Sequence, residues 1–241
     1  MPSHHFLDAN ILIGSLTEWD GQHYRARRYM QQEGFLRHTS ERVHRECTGV
    51  LGRFRRTILQ YLEYPGQNLP AHPDPLALDR TIDRLTDRRV RSLPSGREQN
   101  VLRSFVRGNR EDLRNAALGT EEERQAFRRD AINAVKGALE SLDRDCRDDP
   151  TAPVFCYTCC PNDYDGHFPM QKSSLIDALH YEPDTLVVLD SFFLRVHRIR
   201  EVVCFVTTDN AHILRNRDRI EEILPGIAVR EPGSFLAGEG G

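Results

Sequence analysis

At 241 residues the chain is long enough for one large domain, or for a core domain carrying a substantial insertion, and either would bury a proper core. A formal net charge of −3 excludes the global basic field of a general nucleic-acid coat, so any nucleic-acid site must be local. The first residues lack the cationic start and long apolar core of a signal peptide, and no window approaches a membrane span, so the expectation is a soluble cytoplasmic protein with no membrane partner.

In chain order, His5 to Leu7 reads as a short buried strand running into Asp8, and "NILIGSL" after it reads as a helical segment or turn. Residues 20–33 place Tyr24, Arg27, Arg28 and Met30 at helical spacing, and Gly34 closes that element. "FLRHTS" is a second strand ending at Ser40, a good N-cap for the long helix that follows and stops before Pro65. From about 69 to 149 strand-like runs vanish. Apolar residues such as Ile82, Leu85, Phe105, Val135 and Leu142 recur there at helical spacing, between breaks such as "LPSGRE" and "ALGTEEE". The stretch reads as three or more charged helices inserted into a single domain spanning 1–241, and no fixed period marks it as a repeat array.

The six cysteines, three of them in "CYTCC", do not form the regular framework of a disulfide-stapled domain. Cys156, Cys159, Cys160 and His167 fit known zinc-ligand spacings poorly. After Pro150 an α/β alternation resumes. "PDTLVVLDSFFLRVHR" is an apolar helix with Pro183 in its first turn, "EVVCFVTTD" a buried strand, "NAHILRNRDRIEEIL" an amphipathic helix and "GIAVRE" a last short strand. Such alternation implies a parallel sheet flanked by helices, in which functional groups gather at the carboxyl ends of strands.

Asp8 and Asp209 both stand at such ends. A lone Asp there is most often a helix cap; two strands each delivering an acid to one edge suggest a site. Crowded carboxylates raise one another's pKa unless a cation sits among them, and oxygen-only ligation favours Mg²⁺ or Mn²⁺ over zinc. Those ions activate water and stabilise charge on phosphoryl oxygens, so phosphodiester hydrolysis is the implied chemistry.

"FLDANILIG", "HTSERVHREC" and "FVTTDNAHIL" together resemble the ordered motifs of the PIN-domain nucleases, and "PGIAVREPGSFL" is similar to their closing strand and tail. The resemblance covers about residues 4–64 and 175–236 and leaves 69–149 unexplained. It implies a three-layer PIN-like α/β fold, metal-dependent endoribonuclease activity with RNA as partner, and an acid set of Asp8, Glu46, Asp209 and one further Asp. Toxin–antitoxin pairs are one common setting for the family, though those toxins are usually shorter than this chain.

For the further acid, Asp190 has the better sequence distance to Asp209 and Asp184 the better helical position, just after Pro183; Asp177 is a distant third. Six residues of helix leave Asp184 and Asp190 about 120° apart, so they cannot both face one site. Asp190 is preferred and Asp184 kept. The metal set is then Asp8, Glu46, Asp190 and Asp209, with Glu46 completing the shell or orienting water. Asn10 can hold Asp8 in place, and Thr207 and Thr208 can donate hydroxyls to a carboxylate or phosphate. Asn10 as a turn residue and the threonines as simple β-formers are the plainer alternatives, and His44 and His212 read as surface or packing histidines.

Of the 33 basic residues 31 are arginine, which suits bidentate phosphate contacts and follows equally from arginine-biased codon usage. Arg42, Arg45, Arg53, Arg55 and Arg56, with Arg215 and Arg217, are candidates for phosphate contact. Further arginines on the helical stretch, among them Arg88, Arg110 and Arg114, suit an RNA clamp, a homodimer surface or a platform for a protein regulator. A PIN-like module that binds RNA or a partner without cutting is the alternative to a nuclease. No P-loop or Gly-x-Gly-x-x-Gly turn supports a nucleotide-binding domain.

Overall fold

The computed structural model describes residues 3–63, 74–145, 155–157 and 160–236. The chain divides into two units, one of residues 1–16, 22–48 and 141–241, the other of residues 17–21 and 49–140.

The first unit is built on a five-stranded, all-parallel sheet. Its strands are β1 (Ser3–Leu7), β2 (Phe35–Ser40), β3 (Phe155–Tyr157), β4 (Val203–Val206) and β5 (Ile227–Arg230), in the order β3-β2-β1-β4-β5. Parallel strands covered on both faces read as short apolar runs rather than as alternations. Phe6, Leu7, Phe205, Val206 and Val229 accordingly have no measurable exposure. Register pairs Phe6 with Phe205 and Leu7 with Val206, so β1 and β4 end level with one another.

Helices carry the chain between strands: α1 (Ala9–Leu16) and α2 (His23–Met30) after β1, α3 (Glu41–Glu63) after β2, and α8 (Pro169–Leu179) with α9 (Glu182–Leu194) before β4. Ser40 starts α3 by accepting the Val43 amide on Oγ, and Pro183 sits in the first turn of α9, where its missing N–H costs nothing. Gly34 and Gly226 take φ of 87° and 89° in the turns that feed β2 and β5, a conformation glycine adopts without a Cβ clash.

The segment after β4 departs from the amphipathic helix expected over 210–224. A tight turn and a 3₁₀ stretch (Leu214–Asn216) come first, and α10 occupies only Arg217–Ile223. The cause is Asp209, whose Oδ1 accepts the amides of Ala211 and His212 and whose carbonyl accepts that of Leu214, folding the chain over before a helix can propagate. Strand β3 and helix α8 lay outside the elements recognised in the sequence, β3 because three residues carry too little pattern.

The regular elements described in the second unit are all helices: the distal part of α3, α4 (Pro75–Arg91), α5 (Gly96–Gly108), α6 (Arg110–Leu118) and most of α7 (Glu121–Asp145). It starts at Gly49, earlier than the insertion read at 69, because the far end of α3 packs into its core. Ile58 and Tyr61 join Leu78, Ile82, Leu102 and Phe105 there, and Trp19 meets Phe105 edge-on at 5.1 Å. Among the described residues no helix is long and apolar enough to cross a membrane.

Candidate metal centre at the strand tips

Connections leave β1 toward β2 on one side, while β4 lies on the other, so the strand order reverses between β1 and β4. In open parallel sheets the crevice at the carboxyl ends of such a pair is where ligands bind. Asp8 follows β1 directly, and Thr207 to Asp209 follow β4.

The local sequence locks these tips together. The Asp8 amide donates to the Val206 carbonyl at 3.1 Å, carrying the β1–β4 ladder one step past the last strand residue. Asp8 is 6% exposed and its carboxylate accepts three hydrogen bonds: Oδ1 accepts the Ala9 amide at 2.7 Å, and Oδ2 accepts Asn10 Nδ2 at 3.1 Å and Thr207 Oγ1 at 2.7 Å. Thr207, with no exposure, in turn accepts the Asp209 amide at 3.0 Å. One buried hydroxyl thus couples two acids that lie about two hundred positions apart in the chain. Thr208 beside it is half-buried.

Asp184 reaches the same place from the first turn of α9. Its Oδ2 lies 3.1 Å from His212 Nδ1, and ligand atoms of Asp184, Asp209 and His212 all fall within 4.8 Å of one another. This small carboxylate–imidazole group can hold a metal ion. Burial pushes the Asp184 carboxyl up to about 6, and the nearby charges of Asp8 and Asp209 push the same way against the bond from His212. Burial likewise raises Asp8 above the usual carboxylate range, with Asp209 adding repulsion and the three hydrogen bonds opposing. Among the described residues no lysine or arginine pairs with Asp8, Asp184 or Asp209. Among the described residues the negative charge of the crevice is therefore met by hydrogen bonds and one imidazole.

Asp190, preferred in the sequence, goes elsewhere. The side chain has no exposure, Oδ1 accepts the Tyr164 hydroxyl at 2.6 Å, and Oδ2 lies 3.4 Å from Arg42 Nε. Burial raises its pKa, while bonds from Ser40 and Tyr164 and the charge of Arg42 counter this. The helix explains the exchange: with the first-turn Asp184 aimed at the strand tips, the residue six positions on points into the interior. The structure brings Asp184, and not Asp190, to Asp209.

Other candidates are placed as follows. Glu46 is exposed on α3 and is not part of the group with Asp184, Asp209 and His212. Its neighbour Cys47 is buried, with Sγ 3.7 Å from the Ala9 carbonyl. Arg42 gives Nη2 to the carbonyls of Pro161 and Asn162 besides facing Asp190, so its guanidinium is committed inside the unit; Arg45 is exposed. Asp177 is exposed on α8. Of the cysteine set weighed for zinc, Cys156 and Cys159 lie outside the residues whose side chains are described, and Cys160 forms no disulfide among the described residues.

Two contributions escaped the sequence reading. His212, taken there for a surface or packing residue, is turned onto Asp184; the available signal was its position three residues after Asp209, which an Asx-type turn brings round to the same side. Tyr164, the buried partner of Asp190, stood in an irregular stretch with no periodic pattern to mark it. No family model matches the chain, and neither a curated protein nor a solved structure matches it.

Proposed function

We propose that the chain is a PIN-like, metal-dependent endoribonuclease, with Asp8, Asp184 and Asp209 holding Mg²⁺ or Mn²⁺ at the tips of β1 and β4. The observation that carries the reading is the close approach of Asp184, Asp209 and His212 at the strand tips, with Asp8 tied to Asp209 through Thr207 and, among the described residues, no arginine or lysine paired with the three acids. Crowded carboxylates raise one another's pKa, and a cation among them relieves that repulsion.

The donor set fits a small divalent ion, since carboxylate oxygens are the preferred ligands of Mg²⁺ and Mn²⁺. A bound ion supplies activation of water and stabilisation of charge on phosphoryl oxygens. The protein's own residues do the positioning. Thr207, Asn10 and the Ala9 amide fix the direction of the Asp8 carboxylate, and the turn at Ala211 and His212 fixes that of Asp209. Asp184, with a pKa near 6, is ionised in most molecules at neutral pH and is drawn further toward that form by any cation. Arg45 and Arg215, both exposed, are available for phosphate contact.

The test is cleavage of end-labelled single-stranded RNA with Mg²⁺ or Mn²⁺. Wild type cuts internally, chelator stops it, and Asp8→Asn or Asp209→Asn loses the activity; a variant of either acid that cuts at full rate refutes the assignment. A second reading, a PIN-like module that binds RNA or a protein partner without cutting, draws on the metal-capable group holding two acids, Asp184 and Asp209, where the nuclease reading expects four. RNA binding without cleavage, together with melting temperatures that ignore divalent ions, would favour it.

A further inference from the structure

We propose that His212 is a nitrogen ligand that makes this centre select a first-row transition ion over Mg²⁺. The inference rests on the metal-centre reading above and narrows it to an ion class.

The side chain is held for the task from both ends. Its backbone amide is tied at 3.0 Å to Oδ1 of Asp209, and the turn this creates swings the ring toward α9. There Nδ1 meets Asp184 Oδ2 at 3.1 Å, and the edge of Tyr181 packs against the ring with centroids 6.0 Å apart at 64°. The imidazole is half exposed, yet its direction is set by three separate elements: the strand tip, the first turn of α9 and the residue preceding that helix. An ordinary surface histidine has no such fixing.

The chemistry follows from the donor types. Mg²⁺ demands oxygen, holds its waters and gains little from an imidazole. Mn²⁺ and the later first-row ions accept nitrogen with oxygen, and their affinity for mixed sites rises along the transition series. A group of two carboxylates and one imidazole within 4.8 Å is therefore matched to those ions. Coordination through Nδ1 uses the neutral ring with its proton on Nε2, so the hydrogen bond to Asp184 gives way to shared ligation by both side chains.

The experiment uses the full chain stripped with chelator and loaded with Mn²⁺, read by pulsed electron paramagnetic resonance and by equilibrium titration against Mg²⁺. Wild type is expected to show ¹⁴N coupling from an imidazole and to bind Mn²⁺ more tightly than Mg²⁺ by at least about tenfold. His212→Gln is expected to lose the ¹⁴N coupling, to keep a bound ion through its acids and to bring the two affinities close to parity. The variant changes a half-exposed side chain, and an unaltered melting temperature without ion confirms that it folds. Mn²⁺ bound in wild type without ¹⁴N coupling, but released in Asp209→Asn, overturns the role of His212 and leaves the carboxylate centre standing. No Mn²⁺ bound by wild type at all sinks the centre itself, and this inference with it.

Discussion

The acids of the helical unit and those at the strand tips are the same residue types held in opposite ways. In the helical unit Asp79 faces Arg114 and Arg110, Asp83 faces Arg110, Glu63 faces Arg128 and Asp20 faces Arg97. Hydrogen bonds from Arg114 and Arg110 hold Asp79 and Asp83 below the usual carboxylate range. At the strand tips burial drives Asp8 and Asp184 above it, and among the described residues no guanidinium pairs with them. Charge neutralised by a neighbouring arginine serves the fold, whereas crowded acids with raised pKa values mark a candidate functional site. The contrast also sorts the arginines: those on α6 that suggested an RNA clamp, Arg110 and Arg114, are spent on their own unit's acids.

The largest expected effect separates the tips from everything else. Asp209→Asn and Asp184→Asn should each lower the cleavage rate by at least about a thousandfold, because ion-borne charge stabilisation is worth several kcal/mol and each 1.36 kcal/mol is tenfold in rate. Asp190→Asn, changing an acid already matched to Arg42, should leave cleavage within about threefold while lowering the melting temperature. A loss in Asp190→Asn equal to that in Asp184→Asn would reverse the assignment of the two acids. Next in size is Arg42→Ala, which strands the buried Asp190 and should destabilise the chain by about 3–5 kcal/mol in urea titrations.

A third effect is a pH dependence whose sign differs between paired and unpaired acids. The Asp184 carboxyl sits near 6 in the folded chain against 3.8 ordinarily, so the folded form holds the proton more tightly. The stability this contributes is present below about 4 and is lost as pH rises through about 6. The imidazoles of His5, buried, and His38, half-buried, both lowered to about 4, run the opposite way in that window. Only the difference between wild type and Asp184→Asn, both without added ion, isolates the carboxyl. The wild-type advantage in melting temperature should shrink from pH 4 to pH 6 and stay level above; a flat difference would mean that Asp184 is an ordinary exposed acid. The smallest effect belongs to Arg128→Ala, which breaks an exposed pair with Glu63 and should cost about 0.2–1 kcal/mol, within reach of a careful denaturant series.

What the sequence determined alone is the layout. Apolar runs of strand length, alternating with helical segments, announce a parallel sheet. The bare Asp after "HHFL" and the one after "FVTT" put carboxylates at strand ends, because burial of those runs leaves only the ends open to water. The helical character of 75–145 was equally plain from its 3.6-residue periodicity. What only the tertiary structure decided is direction. Helical spacing says that Asp184 and Asp190 point apart, but which one meets the crevice depends on how α9 rolls against the sheet, and that is set by packing around Tyr164 and Arg42. The place of His212 depends likewise on a turn closed by the side chain of Asp209, a contact no periodicity encodes.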